Sequence, residues 1–255
     1  MNKLPKDIKH SIIENLRLQL NAKGLTIVLV LCFMMKYNLD SVLQFAKVTD
    51  HKIVAAMLPY LHSNTIYSMI VGLMILYYFS EIPFIDEHTS YTLLRLGRRR
   101  WLFQKFGQII SGSIFFMLVE LVCSILIGLP HITLSTKWGP VWNTITLTNN
   151  LEDVYLSRNI LIAFSPITAS LRVVIMGILI SIMLAFCLYT LSLFFPKKAA
   201  LIACAVIADG PILAANCGLP SAYYWSPVSW IGIVEHNNMY IYKGPDIPYM
   251  IIFII

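Results

Sequence analysis

The chain has 255 residues, of which 58% are apolar and 13% charged, and its mean hydropathy is +0.72. Soluble domains hold about 45–50% apolar and about 25% charged residues, so a water-solvated fold of this length could not hide so much apolar surface. This excludes an ordinary soluble enzyme, and it excludes disorder, which requires low hydrophobicity. The expectation is an all-α, polytopic membrane protein with a single transmembrane domain over residues 1–255. A net charge of +6 would raise nucleic acid as a partner for a soluble chain. Here the basic residues are read as flanks of membrane spans, and the expected partner is the lipid bilayer, not nucleic acid.

The first expected element, over 1–24, is a cytoplasmic interfacial helix. Lys3, Lys6 and Lys9 precede a long amphipathic stretch, unlike the short apolar core of a signal peptide. Ile8, Ile12, Ile13, Leu16 and Leu20 recur at helical spacing, with Lys9, His10, Glu14 and Arg17 largely opposite. The first span is expected over 25–43; Lys36 and Asp40 interrupt it but lie four apart and can pair on one helix face. A short outer segment, 44–63, follows, and its run "IVAAMLPYL" can rest on the outer leaflet. The second span is expected over 66–82, with Tyr77 and Tyr78 suited to an interfacial belt.

The third span is expected over 106–129 and leads to an outer segment, 130–170. The fourth, over 173–195, carries no charge and is closed by Pro196. Lys197 and Lys198 form a tight turn into the fifth span, 199–217, whose Ala and Gly residues allow close helix approach. A second outer segment, 218–246, is rich in Tyr and Trp, which are read as interfacial anchors ahead of a cap on an exit pathway. "IPYMIIFII" opens a sixth span; nine residues cannot cross as a helix, so it is read as cut short by the end of the chain. With the N-terminus inside, the dense clusters Lys3–Lys6–Lys9, Arg98–Arg99–Arg100–Lys105 and Lys197–Lys198 all fall on the cytoplasmic side, as the positive-inside rule requires.

Two carboxylates lie in the middle of expected spans: Glu120 in the third, and Asp209 in the fifth, followed by Gly210 and Pro211. Carboxylates in lipid are costly and normally face a cavity or a partner. One reading places them on a transport pathway or dimer interface; the other makes each a neutral side chain hydrogen-bonded to a nearby Ser or Thr. The Gly-Pro pair is expected to break the helix ladder locally. Of the cysteines, Cys32, Cys123, Cys187 and Cys204 sit in apolar runs and Cys217 at the end of one. They have no metal-site spacing and are read as small hydrophobes. The histidines His10, His51, His62, His88, His131 and His236 are scattered, with no HExxH or GxSxG, and are read as surface residues.

The informative stretch is 84–105, "FIDEHTSYTLLRLGRRRWLFQK". It opens acidic at Asp86 and Glu87, continues through a short helical piece, turns at Gly97 and closes with Arg98, Arg99, Arg100, Trp101 and Lys105 at the inner headgroup level. An N-terminal amphipathic helix leads into six spans. Glu87 follows the second span, "TSYTLL" comes next, and Gly97, the arginines and Trp101 run into Lys105. Before the last span stands "YYWSPVSWIGIVEHNN". Together these features resemble the permeases of the type 2 ABC transporter family, although His88 stands where the family often has Gly.

The resemblance implies that Asp86, Glu87, His88, Thr89, Tyr91, Leu94 and Arg95 belong to a coupling helix docked in a groove of a separate ATPase subunit. The chain has no GxxxxGK[ST] and no LSGGQ-like run, hence no loop of its own for cradling nucleotide phosphates. ATP and Mg would be bound by the partner chain, with no cofactor and no enzymatic activity in this one. The resemblance further implies a pair of permeases, identical or closely related, in a bacterial plasma membrane, exporting an amphipathic or apolar peptide, drug-like compound or lipid. The alternative is an ion-coupled carrier using Glu120 and Asp209 as proton relays; it predicts inverted repeats, which the sequence does not display. An intramembrane enzyme would need a nucleophile–base pair that no motif supplies.

Overall fold

A computed structural model describes residues 22–82, 94, 97–129, 131–148, 156, 158–232 and 247–254. The interfacial helix expected over 1–24 lies outside these residues except for its last three. Helices run α1 (Ala22–Thr49), α2 (Met57–Leu61), α3 (Thr65–Tyr78), α4 (Arg98–Gly128), α5 (Pro140–Thr148), α6 (Arg158–Ala163), α7 (Pro166–Phe194), α8 (Lys197–Asn216) and α9 (Ile247–Ile254). Two-residue strands β1 (Ile53–Val54) and β2 (Ile132–Thr133) pair in parallel, and 3-10 turns cover Pro220–Trp225 and Val228–Ile231.

Four of these helices, α1, α4, α7 and α8, are long and apolar enough to cross a membrane. The 14-residue α3 is about 21 Å long, short of a hydrocarbon layer of about 30 Å, and α9 has eight residues. Large apolar side chains point outward along the long helices: Leu25, Leu29 and Phe33 on α1, Ile114, Leu118 and Val122 on α4, Ile202 and Val206 on α8. Polar side chains go the other way, with Gln108, Ser113, Glu120, Ser181 and Asp209 buried. Water would penalise that distribution and lipid rewards it. The protein is a membrane-embedded helical bundle.

Local chemistry sets the helix ends. At the close of α1, Asp50 adopts φ 53°, while His51 N donates to Ala46 O at 3.1 Å and Asp50 N to Lys47 O at 3.4 Å. This is a Schellman ending with Asp in the left-handed position that Asp and Asn tolerate best. α8 ends the same way at Gly218, φ 102°, with Leu219 N donating to Ala214 O at 3.1 Å. Asn64 Oδ1 caps α3 through Ile66 N and Tyr67 N and Ser165 Oγ caps α7 through Thr168 N. Gly97 precedes α4 at φ 77°, a conformation that costs glycine little. α4 therefore starts at Arg98, well ahead of the apolar run at Phe106. α8 runs unbroken through Pro211, where a local break had been expected. Packing against α3 and α7 replaces the support that the missing N–H withdraws.

Contacts at the helix ends sort the basic residues. Lys23 Nζ, at the start of α1, donates to Ser80 Oγ at 2.9 Å and reaches Glu81 Oε1 at 3.4 Å, just past α3. The parallel β1–β2 pair holds the exits of α1 and α4 together at the opposite end. Trp138 Nε1, after β2, donates to Phe164 O at 2.7 Å, just before α7. α7 therefore also starts at the β-pair end and delivers Lys197 and Lys198 to the end that holds Lys23. Arg98, Arg99 and Arg100 open α4, which lies alongside α1, at that same end. The described basic turns thus share one end of the bundle, the pattern expected when one leaflet's surface is anionic.

The outer segments do not simply lie on the leaflet. All five residues of α2 are buried, as are Val228, Ser229, Trp230 and Ile231. A five-residue helix with apolar residues all round is covered best from every side, so it plugs the bundle between α1, α4 and α7. Trp142 is fully buried and Trp230 nearly so, while Trp225 is 62% exposed; the buried two are core residues, not anchors.

Gly72 on α3 makes room for the second plug. A Cβ there would lie 2.9 Å from Val228 Cγ2 and 3.1 Å from Asp209 Oδ1. Gly72→Ala is expected to lower stability in detergent by about 1–3 kcal/mol, the usual cost of overpacking, because the branched Val228 cannot swing aside. Gly177→Ala, facing the flexible Met117 thioether, is the control and should shift the unfolding midpoint less. Equal midpoints would show that the Val228 turn is not held against α3.

Candidate functional site

The described residues bring one group of ionisable side chains together in the interior. His62 closes α2, with its N–H donating to Leu58 O at 2.9 Å, and Ser68 Oγ donates to His62 O at 3.0 Å. This turn, with Asn64 capping α3, drives the imidazole inward, where it meets Tyr67 edge-on at 5.2 Å between ring centroids. Glu120 reaches the same point from α4. His62 Nε2 lies 2.9 Å from Glu120 Oε1, and Tyr67 OH donates to Glu120 Oε1 at 2.7 Å. The His62 and Glu120 side chains are 0% exposed, as is Tyr67.

A hydrogen bond at this distance needs a hydrogen on either Nε2 or Oε1. Imidazolium with carboxylate and imidazole with carboxylic acid are both neutral overall, so the pair avoids the large cost of a lone buried charge. Tyr67 can donate to Oε1 in either state. His62 Nδ1 and Glu120 Oε2 have no partner among the described residues. The cluster fastens the α2 plug to α3 and α4. Neither reading of Glu120 made from sequence named these partners; Ser and Thr had been considered, and His62 had been read as a surface residue. One local signal was available. "HSN" interrupts two apolar stretches directly before a helix start, which places a histidine at the depth of a buried turn. One turn after Glu120, the thiol of Cys123 contacts that of Cys32, and Cys187 similarly contacts Cys204; none of the described cysteines is in a disulfide.

Asp209 lies apart from this cluster, on α8 against Gly72 of α3. It is 5% exposed, and neither carboxylate oxygen has a partner among the described residues. Ser181 Oγ, on α7, is likewise without one. Unlike Glu120, Asp209 has no hydrogen-bonding side chain beside it among the described residues.

Of the expected coupling residues, Asp86, Glu87, His88, Thr89, Tyr91 and Arg95 lie outside the described residues. Leu94 is helical and 86% exposed. Arg98, Arg99 and Arg100 form the exposed first turn of α4, and Lys105 Nζ sits 5.9 Å over the Trp101 ring, a cation–π contact at the basic end. Among the described residues no group of three or more His, Cys, Asp and Glu side chains is placed to hold a metal ion. Comparison of the chain with protein-family models, curated proteins and solved structures gives no match.

Proposed function

We propose that this chain is the membrane-spanning subunit of an ATP-driven type 2 ABC exporter. A separate ATPase would bind ATP and Mg, and a second copy or close homologue would complete the permease. The observation that carries the reading is where the chain leaves α3 and where it re-enters α4, on either side of a segment largely outside the described residues. Lys23 ties the start of α1 to Ser80 and Glu81, just past α3, and the basic first turn of α4 lies at the same end, so these described flanks share the end of the bundle with Lys197 and Lys198. An acidic opening beyond a basic interfacial turn supports docking of a soluble partner. The cargo, an amphipathic or apolar molecule moved out across a bacterial plasma membrane, follows by analogy with the family. The test is purification of the tagged chain from its native membrane: a stoichiometric soluble ATPase with vanadate-sensitive hydrolysis is expected. A pure chain whose transport persists in vanadate would refute it.

A second reading, ion-coupled transport, draws on the buried Asp209, whose carboxylate has no partner among the described residues; an intramembrane carboxylate in that setting is suited to carrying a proton. It requires transport that survives ATP depletion, follows a pH gradient and disappears in Asp209→Asn.

A further inference from the structure

On the outward face of α1, a cleft of about 640 Å³ opens between α1 and the start of α3, lined by Phe33, Lys36, Tyr37, Asn38, Asp40, Ser41, Asn64 and Ile66. Its floor is rigid. Asn64 Nδ2 donates to Asn38 Oδ1 at 2.6 Å, Asn38 Nδ2 to Met34 O at 2.8 Å, and Tyr60 OH to Asn38 O at 3.3 Å. Lys36 and Asp40 stand exposed on its rim one helical turn apart, about 6 Å along the axis. The pairing expected from their spacing is absent: Asp40 Oδ2 accepts from Gln44 Nε2 at 2.7 Å, and Lys36 has no ion pair among the described residues. The rim therefore offers one cation and one anion side by side.

Below the cleft the surface is apolar. Leu25, Leu29 and Phe33 are exposed along α1, and Ile66, Leu73 and Tyr77 along α3. The two rows converge at the basic end, where Lys23 lies 5.3 Å over the Tyr77 ring. Lys36 and Asp40 stand about 20 and about 26 Å above Lys23 along α1. Against a hydrocarbon layer of about 30 Å, both lie in the leaflet opposite the basic end, with Asp40 nearer its headgroups and the long Lys36 side chain able to extend toward them. Charge pair above and apolar rows below match an amphiphile whose polar head points away from the basic end.

We propose that this cleft binds the headgroup of a zwitterionic diacyl phospholipid of the ethanolamine type. Its phosphate would sit on Lys36, its ammonium on Asp40 and Ser41, and its chains along the two apolar rows. A charge-assisted hydrogen bond serves each end of such a headgroup, whereas an anionic lipid would leave Asp40 facing like charge.

The test uses photoactivatable phosphatidylethanolamine and phosphatidylglycerol analogues with the full chain in phosphatidylcholine vesicles, followed by peptide mapping. Wild type is expected to be labelled by the ethanolamine lipid within 33–41 and around 64–66. Lys36→Ala should cut labelling by both analogues, and Asp40→Asn should abolish the preference for ethanolamine; each effect should be about tenfold, as for loss of one charge-assisted hydrogen bond. Both side chains are exposed, so unfolding midpoints should stay unchanged, which separates lost binding from lost fold. Equal labelling of wild type and variants would overturn the proposal. So would free phosphoethanolamine competing as well as the lipid, because the chains would then contribute nothing. A Tyr37→Cys self-cross-link that excludes the analogue would assign the face to a second copy and overturn it as well.

Discussion

Glu120→Ala is expected to lower stability by about 2–4 kcal/mol, read as denaturant or thermal unfolding in detergent. Polar contacts between membrane helices average only about 0.6 kcal/mol, because separated helices find other partners. Two features lift this site above that figure. His62 Nε2 and Tyr67 OH lose the same acceptor at once, and removal of one partner from a fully buried acid–base pair leaves the other uncompensated, at about 3–5 kcal/mol in soluble proteins. Glu120→Gln retains an acceptor for Tyr67 and should cost about half as much or less. The decisive comparison is a double-mutant cycle with His62→Leu and Glu120→Leu. The double variant should be more stable than the sum of the single losses implies, by about 1 kcal/mol or more. Additive losses would mean that the two side chains are neighbours without being partners.

Glu87→Lys is expected to uncouple ATP hydrolysis from transport at least tenfold, while the spans insert and fold normally. Truncating one member of a docked, hydrogen-bonded charge pair costs about 2–5 kcal/mol, and about 1.4 kcal/mol is a factor of ten; a reversal adds repulsion. The measurement is transport per ATP hydrolysed in vesicles containing both chains, with unchanged unfolding midpoints as the check on folding. Glu87→Gln should fall between wild type and Glu87→Lys. Full coupling in an inserted Glu87→Lys protein would remove Glu87 from the docking surface.

The long helices were legible because length and apolarity are local properties. The uncharged run over 173–195 lies within α7 except for its last residue, and the run over 199–217 nearly coincides with α8. The helix starts were less legible: α7 begins at Pro166 after its Ser165 cap, and α4 at Arg98 after the positive-φ Gly97, and both signals lie outside the apolar runs. α1 likewise runs to Thr49, past the expected outer edge at Leu43, until Asp50 turns it. Local sequence could not separate a segment resting on lipid from one buried in protein, so "IVAAMLPYL" was placed on the leaflet while its residues fill the bundle. The same limit hid the role of His62, whose partner Glu120 is 58 residues away, and the contact of Asp209 with Gly72. Lys36 and Asp40 illustrate the converse: the spacing allowed a pair, but Gln44 offers Asp40 a donor one turn further on.

The most direct measurement is a photo-cross-link from position 90, in the segment between α3 and α4, made in native membranes. A chain carrying a benzophenone amino acid in place of Ser90 should give a single protein adduct with a soluble nucleotide-binding chain, and an impermeant reagent outside intact cells should not reach that position. Modification of position 90 from outside the cell, or adducts with lipid alone, would contradict the account.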